Sequence, residues 1–378
     1  MAQPLRPMSQ MSERELEAAL SRIPVAPDIA FPDLLAGIVD MVDRNGWEAP
    51  SEPMLFPELP KSVGVTVPYH TALQVAAGTS EHPDWLVPGF VALQAITELD
   101  GKIKSSGKTT WATHLVASVL DGNRFMGYPT TRTKVVYLTE QSQGSFREAL
   151  SRASLIARGD ELRIVFRREI STIKWVELIA TVAADALRDG YGLLVVDTVG
   201  KLAGLMEENA AGEAAAVMVP LQNAAHDGLA VLVCRHERKS GGEVGESGRG
   251  SSAISGDVDV ILQLRRPEGK QPLNRRVIES LSRYSETPDK IVIELVDDGY
   301  ILLGDEEAVS MADALRFVSG HIGVENEQKG GWSVEELMEA GEMDRNAIRR
   351  ALNELKFRGE VVETGSGKRG SPYRYAPK

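Results

Sequence analysis

A short loop rich in hydroxyl side chains, Ser105-Ser-Gly-Lys-Thr-Thr110, carries the residue types that hold a triphosphate. An apolar stretch precedes it and an amphipathic run follows, so backbone N–H groups and a positive helix N-terminus would converge on phosphate. Gly107 would let the backbone approach, Lys108 would reach the β- and γ-phosphates, and Thr109 would give a hydroxyl to Mg²⁺. The residues expected to bind ATP are Lys104, Ser105, Ser106, Gly107, Lys108, Thr109 and Thr110.

The spacing of this loop departs from the standard pattern at its first glycine. The standard position is occupied here by Lys102, and the glycine is Gly101. The loop is therefore expected to be one residue longer or to turn differently. A Gly-Lys-Thr tripeptide also occurs by chance, so the flanking strand and helix are what favour a phosphate loop.

Two carboxylates follow apolar strands further along the chain. Asp197 comes after Leu193-Leu-Val-Val196, and we expect it to hold Mg²⁺ together with Thr109. Glu140 ends the strand that follows the loop's helix, where it would orient and deprotonate the attacking water. The alternatives are a strand-end cap for Asp197 and a solvated loop residue for Glu140.

A further apolar strand, Ala230–Cys234, leads directly into His236. We expect His236 to sense the γ-phosphate, and a surface or packing histidine is the alternative. The chain has one cysteine, which is expected to pack as a small hydrophobe because it cannot form an intramolecular disulfide. Residues 240–252 are dense in glycine and are expected to form a mobile loop beside the nucleotide.

These residues lie at the ends of strands that alternate with helices, which predicts an α/β domain with a parallel sheet. The predicted strands are Ala92–Thr97, Lys134–Thr139, Leu193–Val196, Ala230–Cys234 and Val258–Leu264. The predicted helices are Thr109–Leu120, Ser145–Ala157, Lys174–Arg188 and Glu213–His226. An antiparallel extension of the sheet is expected from Arg275–Arg283, Lys290–Leu295 and Tyr300–Leu303.

Three regions are expected along the chain. The first 90 residues hold 12 of the 19 prolines, so residues 1–85 should be mainly helical, with extended connections. Residues 86–305 should form the ATPase domain. Residues 306–378 read as three helices and a hairpin, and should form a separate domain.

The composition restricts the class of protein. The 378 residues are 43% hydrophobic with a net charge of −12, which is typical of a globular protein of several domains and argues against a surface that coats nucleic acid. No stretch reaches the roughly 18 apolar residues of a membrane span, and the N-terminus lacks the apolar segment of a signal peptide. We therefore expect a cytoplasmic protein that does not enter a membrane.

The C-terminal region is basic in contrast to the rest. From Met343 to Lys378, nine Lys and Arg stand against four Asp and Glu, a local charge of +5. Ser333 and Asp344 are expected to cap two successive helices. Helix-turn-helix plus a hairpin resembles a winged-helix domain, whose second helix enters the DNA major groove, although such domains also dock proteins. The residues expected to contact DNA are Arg345, Arg349, Arg350, Lys368, Arg369 and Arg374.

Together the motifs of residues 80–304 resemble the RecA-like ATPases related to plasmid RepA replicative helicases. More distantly, they are similar to DnaB-type helicases and to AAA family ATPases of phages and bacteria. The segment Lys104–Thr110 matches that family's phosphate loop, and Glu140 matches its catalytic glutamate. Asp197 and His236 match its Walker B aspartate and its histidine motif.

The resemblance also implies an assembly. It implies a homo-oligomer, commonly a hexameric ring, in which ATP lies between subunits and an arginine from a neighbour completes each catalytic site. By strand position this arginine would be Arg283. DnaB-type helicases have a lysine two residues earlier, where this chain has Leu281.

Three kinds of function fit these features. One is a DNA helicase, motor or loader in replication or mobile-element biology. Another is a DNA-bound regulatory switch whose assembly ATP controls, and the third is a recombination or defence ATPase that acts through a partner. Strand separation is suggested by the resemblance alone.

Overall fold

A computed structural model describes residues 67–104, 106–204, 211–237, 244, 252–267, 271–297, 299–323, 330–341, 343–368 and 371–378. Residues 72–378 form one compact unit and residues 1–71 form another, of which only 67–71 are described. The helices predicted before residue 67 and nearly all of the glycine-rich segment 240–252 therefore lie outside the described residues. Ser105 and Arg369 also lie outside them.

Among the described residues, nine strands form one sheet in the order β11-β10-β9-β8-β3-β7-β6-β4-β5. These strands are β3 (Ile96–Asp100), β4 (Lys134–Thr139), β5 (Leu162–Phe166), β6 (Tyr191–Asp197), β7 (Ala230–Cys234), β8 (Val260–Arg265), β9 (Arg275–Ser282), β10 (Lys290–Val296) and β11 (Gly299–Gly304). The six strands from β8 to β5 are parallel. The remaining three extend the sheet in antiparallel fashion, as the sequence predicted.

Helices cover both faces of the parallel part. Before it come α1 (Ala72–Gly78) and an antiparallel pair, β1 (Trp85–Val87) and β2 (Val91–Ala92). The helices that follow are α2 (Lys108–Asp121), α3 (Gln143–Arg152), α4 (Trp175–Arg188), α5 (Val199–Leu202), α6 (Ala211–His226) and α7 (Ser252–Gly256). Because side chains alternate along a strand, Leu232 and Cys234 of β7 pack with α2, whereas Val231 and Val233 pack with α4 and α6.

Two predicted strands, β4 and β7, have the predicted bounds, and most other predicted elements differ by one or two residues at an end. Three larger differences have a physical reason. The expected strand Ala92–Thr97 is broken at Gln94, whose φ of 58° is left-handed and whose N–H donates to Leu229. The helix expected to reach Ala157 ends at Arg152, because Ser154 takes a left-handed φ of 56°. The strand β5 was not predicted, since it lies at the sheet edge and only Leu162 in it is fully buried.

The C-terminal elements have a small core of their own. They are α8 (Glu306–Ile322), α9 (Val334–Ala340), α10 (Arg345–Phe357), β12 (Val361–Thr364) and β13 (Arg374–Pro377). Ser333 caps α9 in a capping box with Glu336, and Asp344 caps α10, as predicted. Ile348 and Leu352 of α10 are buried against α8 and α9.

Ion pairs join this C-terminal segment to the large sheet. Arg275 of β9 pairs with Asp313 of α8, and both side chains are largely buried. Arg265 of β8 pairs with Glu306 at 2.8 Å. The first helix of the C-terminal segment is therefore fastened to β8 and β9. None of the described helices is long and apolar enough to cross a membrane.

Candidate active site

The loop from β3 to α2 turns at the carboxyl edge of the parallel strands. β3 ends in the buried Asp100, and α2 begins at Lys108. Gly107 precedes the helix with a φ of 89°, which is left-handed and favours glycine, and Lys104 within the loop also has a left-handed φ of 58°. Lys104 is exposed, Ser106 is buried, and Thr110 lies in the first turn of α2. This is the strand-loop-helix geometry that a phosphate loop needs.

Gly101 has a steric reason for its unusual position. A Cβ there would lie 2.6 Å from the backbone oxygen of Leu264 in β8 and 2.7 Å from Oγ of Ser106. No side chain fits at that distance, so a glycine is needed one residue before the standard place. The loop therefore turns tightly against the neighbouring strand.

Lys108 lies over the loop that precedes it. Its Nζ donates to the carbonyl of Gly101 at 2.6 Å and to that of Lys102 at 3.3 Å. Burial lowers the pKa of Lys108, and nearby acidic groups, including Asp197, partly oppose this. A cation is thus held at the centre of the loop.

Thr109 and Asp197 meet at the end of β6. The hydroxyl of Thr109 donates to Oδ2 of Asp197 at 2.8 Å, and the hydroxyl of Tyr137 donates to the same oxygen at 2.9 Å. The side-chain amide of Gln141 donates to Oγ1 of Thr109 at 3.1 Å. Burial raises the pKa of Asp197, although these two hydroxyl groups and Lys108 oppose the effect.

This donor set fits magnesium. Mg²⁺ takes hard oxygen ligands, usually one or two from the protein with waters and substrate phosphates supplying the rest. Thr109 would supply a hydroxyl and Asp197 a carboxylate. Among the described residues, no group of three or more His, Cys, Asp or Glu side chains is arranged to hold a metal ion. A magnesium ion at this pair would therefore need waters and substrate phosphates as further ligands.

Glu140 and His236 come together at the same edge. The Nε2 atom of His236 lies 3.8 Å from Oε1 of Glu140, and the N–H of Glu140 donates to the carbonyl of Asp197 at 2.9 Å. Burial raises the pKa of Glu140, but His236, Thr198 and Lys201 outweigh it and the pKa is lowered. Glu140 is therefore ionised at neutral pH and can accept a proton. The Nδ1 atom of His236 is buried without a hydrogen-bond partner among the described residues.

Residues 69–242 match the AAA domain family. This match supports a P-loop ATPase, and the parallel-dominated sheet flanked by helices fits a RecA-like core. No curated protein matches the chain. Two similar solved structures are the RadB recombinase and a KaiC-like protein from the hyperthermophilic archaeon Pyrococcus horikoshii OT3. RadB is 16% identical, with 56% of this chain and 91% of that chain covered and a TM-score of 0.41. The KaiC-like protein is 13% identical, with 57% and 93% covered and a TM-score of 0.42.

Three polar contacts around this site were not predicted from the sequence. Tyr137 donates to Asp197 and Gln141 donates to Thr109. Arg276 of β9 contacts the loop before α2, because its Nε donates to the carbonyl of Ser106 at 2.5 Å. Tyr137 lies inside an apolar strand, which signals only a core residue. The contact of Arg276 depends on where the antiparallel strand β9 starts relative to the loop, and no short sequence pattern predicts that position.

Arg283 lies elsewhere within its own chain. It follows β9 at the end paired with Val260, the amino edge of the parallel strands, and its side chain pairs with Asp259 at 3.4 Å. The phosphate loop is at the carboxyl edge. Arg283 therefore lies away from the phosphate loop of its own chain. Its side chain is 64% exposed and is accessible to a neighbouring chain. The role in trans stays a prediction.

The expected DNA-contacting residues divide into two groups. Arg374 is held by Glu336 at 3.1 Å and by the carbonyl of Gly331 at 2.6 Å, and Arg345 pairs with Glu335 at 2.8 Å. The other described members are exposed and form no ion pair with a described residue. They are Arg349, Arg350 and Lys368.

Proposed function

We propose that the chain hydrolyses ATP with Mg²⁺ at the carboxyl edge of this sheet and couples hydrolysis to DNA as a motor or loader of the RepA type. The observation that carries the proposal is the convergence of three groups there. The pair Thr109–Asp197 lies beside the phosphate loop, and Glu140 lies next to it with His236 at 3.8 Å. These positions supply metal binding, proton acceptance and charge stabilisation at one place.

Each group has one task in this proposal. Lys108 and the N–H groups of the loop bind the phosphates, and Thr109 and Asp197 hold magnesium, which would neutralise charge on the phosphate oxygens. Glu140 accepts a proton from the attacking water, because it is ionised and lies at the edge where the loop ends. His236 would move with the γ-phosphate and alter its contact with Glu140.

The C-terminal elements support a winged-helix fold for residues 306–378. Trp332 and Tyr375 exchange two backbone hydrogen bonds of 2.8 Å, and this isolated bridge ties the chain before α9 to the hairpin β12–β13. The helix α10 is packed by its apolar side, so Arg349 and Arg350 lie on its open side. We propose that this side binds DNA and that Lys368 at the hairpin meets phosphate.

The proposal includes assembly into a homo-oligomer, with a hexameric ring as the expected form. The exposure of Arg283, at the edge opposite the phosphate loop, fits a contact with a second subunit. ATP would then be bound by one chain and completed by another.

The rate of ATP hydrolysis with and without single-stranded DNA tests the motor proposal. Stimulation of about tenfold or more is expected, and Arg349→Ala with Arg350→Ala should reduce it without changing the basal rate. The matched control is Arg147→Ala with Arg152→Ala, two exposed arginines of α3, which should leave stimulation intact. A rate that DNA does not change would exclude the motor and favour an ATP-controlled switch.

A further inference from the structure

Arg276 is the second residue of the antiparallel strand β9, and its guanidinium lies against the phosphate loop. Its Nε donates to Ser106 at 2.5 Å, and its Nη1 donates to the carbonyls of Leu273 at 2.7 Å and Arg275 at 2.6 Å. A Cβ placed on Gly107 would lie 3.4 Å from Nε and 3.5 Å from Nη2. The flat side chain thus reaches the residue from which α2 starts.

Among the described residues, nothing neutralises the charge of Arg276. No described carboxylate forms an ion pair with it, and its charged or titratable neighbours are Tyr300 and another cation, Arg266. Burial lowers the pKa of Arg276, which reflects the cost of holding this cation away from water. Desolvating a cation without an anionic partner is unfavourable, so an anion that binds there would be held strongly.

The preceding residue gives a direct comparison. Arg275 pairs with Glu294 at 2.7 Å and with Asp313, so its charge is compensated. Successive residues of a strand point to opposite faces, and Arg275 therefore faces α8 while Arg276 faces the loop. Carboxylates compensate the charge of Arg275, whereas no described carboxylate compensates the charge of Arg276, which contacts the phosphate loop.

The remaining donor of Arg276 shows where an anion would bind. Nε and Nη1 are used by backbone carbonyls, whereas Nη2 donates to none of the described residues. It lies beside Gly107, where N–H groups of the loop also converge. Guanidinium groups bind phosphate oxygens through such free N–H donors.

We propose that Arg276 is a nucleotide-binding residue that donates from Nη2 to the phosphate chain of a nucleotide held by the loop of the same chain. This inference rests on the proposed ATPase function and adds an arginine that acts in cis. It differs from Arg283, which could serve only a neighbour's site. The carbonyl of Ser106 fixes the guanidinium in place, so the donor is already oriented when the anion arrives.

The test compares two substitutions that differ in charge. Arg276→Gln keeps a hydrogen-bond donor and loses the charge, whereas Arg276→Lys keeps the charge. Calorimetric titration of the full chain with Mg²⁺ and a non-hydrolysable ATP analogue should show Kd raised tenfold or more in R276Q and less than about threefold in R276K. The ratio of the R276Q Kd to the wild-type Kd should fall as NaCl rises, because salt weakens the attraction between Arg276 and phosphate that only the wild type makes.

Arg147→Gln is the matched control, since Arg147 is exposed and forms no ion pair with a described residue, and its Kd should stay within twofold. Arg276→Met serves as a second neutral variant if R276Q does not fold. Wild-type affinity in the neutral variants would overturn the proposal, as would equal losses in R276Q and R276K, which indicate a structural brace. Lys108→Ala separates this inference from the proposed function: if K108A binds the analogue normally, the nucleotide site itself is elsewhere.

Discussion

Asp197 receives hydrogen bonds from the hydroxyls of Thr109 and Tyr137 on a single carboxylate oxygen. Burial raises its pKa while these bonds oppose the shift. The carboxylate is thereby oriented by groups around it rather than by its own strand alone. A metal held by Asp197 should therefore depend on Tyr137, which would not itself contact the metal.

Tyr137→Phe should weaken magnesium binding and leave the fold intact. The substitution removes one hydroxyl that orients Asp197, and the loss of such supporting bonds typically costs about 10–100-fold in metal affinity or activity. The dependence of ATP hydrolysis on Mg²⁺ concentration measures it. Tyr128→Phe is the control, since the hydroxyl of Tyr128 bonds no described residue. Equal Mg²⁺ dependence in Y137F and wild type would show that Tyr137 only fills the core.

The pH dependence of hydrolysis should report Asp197. Burial raises the pKa of Asp197 above its ordinary value, so this carboxylate begins to take up a proton at a higher pH than an unshifted aspartate. Mg²⁺ binds the ionised carboxylate, and protonation therefore releases the metal. The acid limb of the pH–rate profile should move to lower pH when Mg²⁺ is raised tenfold. An acid limb that Mg²⁺ does not move would assign it to another group.

For single residues, the sequence predicts those roles that depend only on neighbouring residues along the chain. Lys108 and Thr109 follow from one tripeptide between a strand and a helix, and the structure places Thr109 against the predicted Asp197. Tyr137 and Arg276 were missed because their roles come from strand register. Arg283 follows the same strand that holds Arg276, and the seven residues between them span the distance between the two edges of the sheet.

Among the elements, the contact between the phosphate loop and β8 decides how the loop turns. Gly101 packs against the backbone of Leu264 at a distance no side chain tolerates. The backbone of β8 cannot move easily, because it is paired with β3 on one side and β9 on the other. The unusual spacing of this loop follows from that close approach.

Gly101→Ala should therefore damage the loop more than the fold. A Cβ 2.6 Å from a strand carbonyl forces the loop away from its position, and a misplaced loop loses phosphate contacts. A loss of nucleotide affinity of at least tenfold is expected in calorimetric titration. Gly144→Ala in α3 is the matched control, since a Cβ there meets nothing within 4 Å. If G101A binds nucleotide as tightly as G144A, the loop is not confined by β8.

The alternation of strands and helices was predictable because buried parallel strands are continuous apolar runs, as in β7. Element ends were less predictable where a single residue takes a left-handed conformation. Gln94 and Ser154 do so, and neither is a glycine or an asparagine that would signal it. The edge strand β5 has an exposed Arg163 as its second residue and is otherwise half-buried after Leu162, so it lacks the continuous buried apolar run of a central strand.

For the whole molecule, the attachment of the C-terminal segment is the feature that links the proposed DNA-binding surface to the sheet. Arg275 is enclosed by Glu294 and Asp313, and its neighbour Arg276 contacts the phosphate loop. Sequence reasoning gave the basic charge and the helix caps of this segment. It could not give the pairing with β9, which joins residues 38 positions apart.

Asp313→Ala should loosen this attachment. Removing one partner of a buried ion pair costs roughly 3–5 kcal/mol, and about 2 kcal/mol is expected here because Arg275 keeps Glu294. Urea unfolding measures the loss in free energy. The control is Asp185→Ala, which breaks the exposed pair with Arg188 and should cost less than about 1 kcal/mol. Equal costs in the two variants would mean that the pair on α8 contributes no more than a surface contact.

Steady-state ATP hydrolysis by the full chain, measured with Mg²⁺ and again with EDTA, tests most directly whether this edge of the sheet is a hydrolysis site. Wild-type protein should turn over ATP only with Mg²⁺. Lys108→Ala should lower the rate at least about 100-fold, because the phosphates lose the cation at the centre of the loop. Lys174→Ala, an exposed lysine of the same domain, should keep the wild-type rate. Hydrolysis by K108A at the wild-type rate would contradict the site described for Lys108, Thr109 and Asp197.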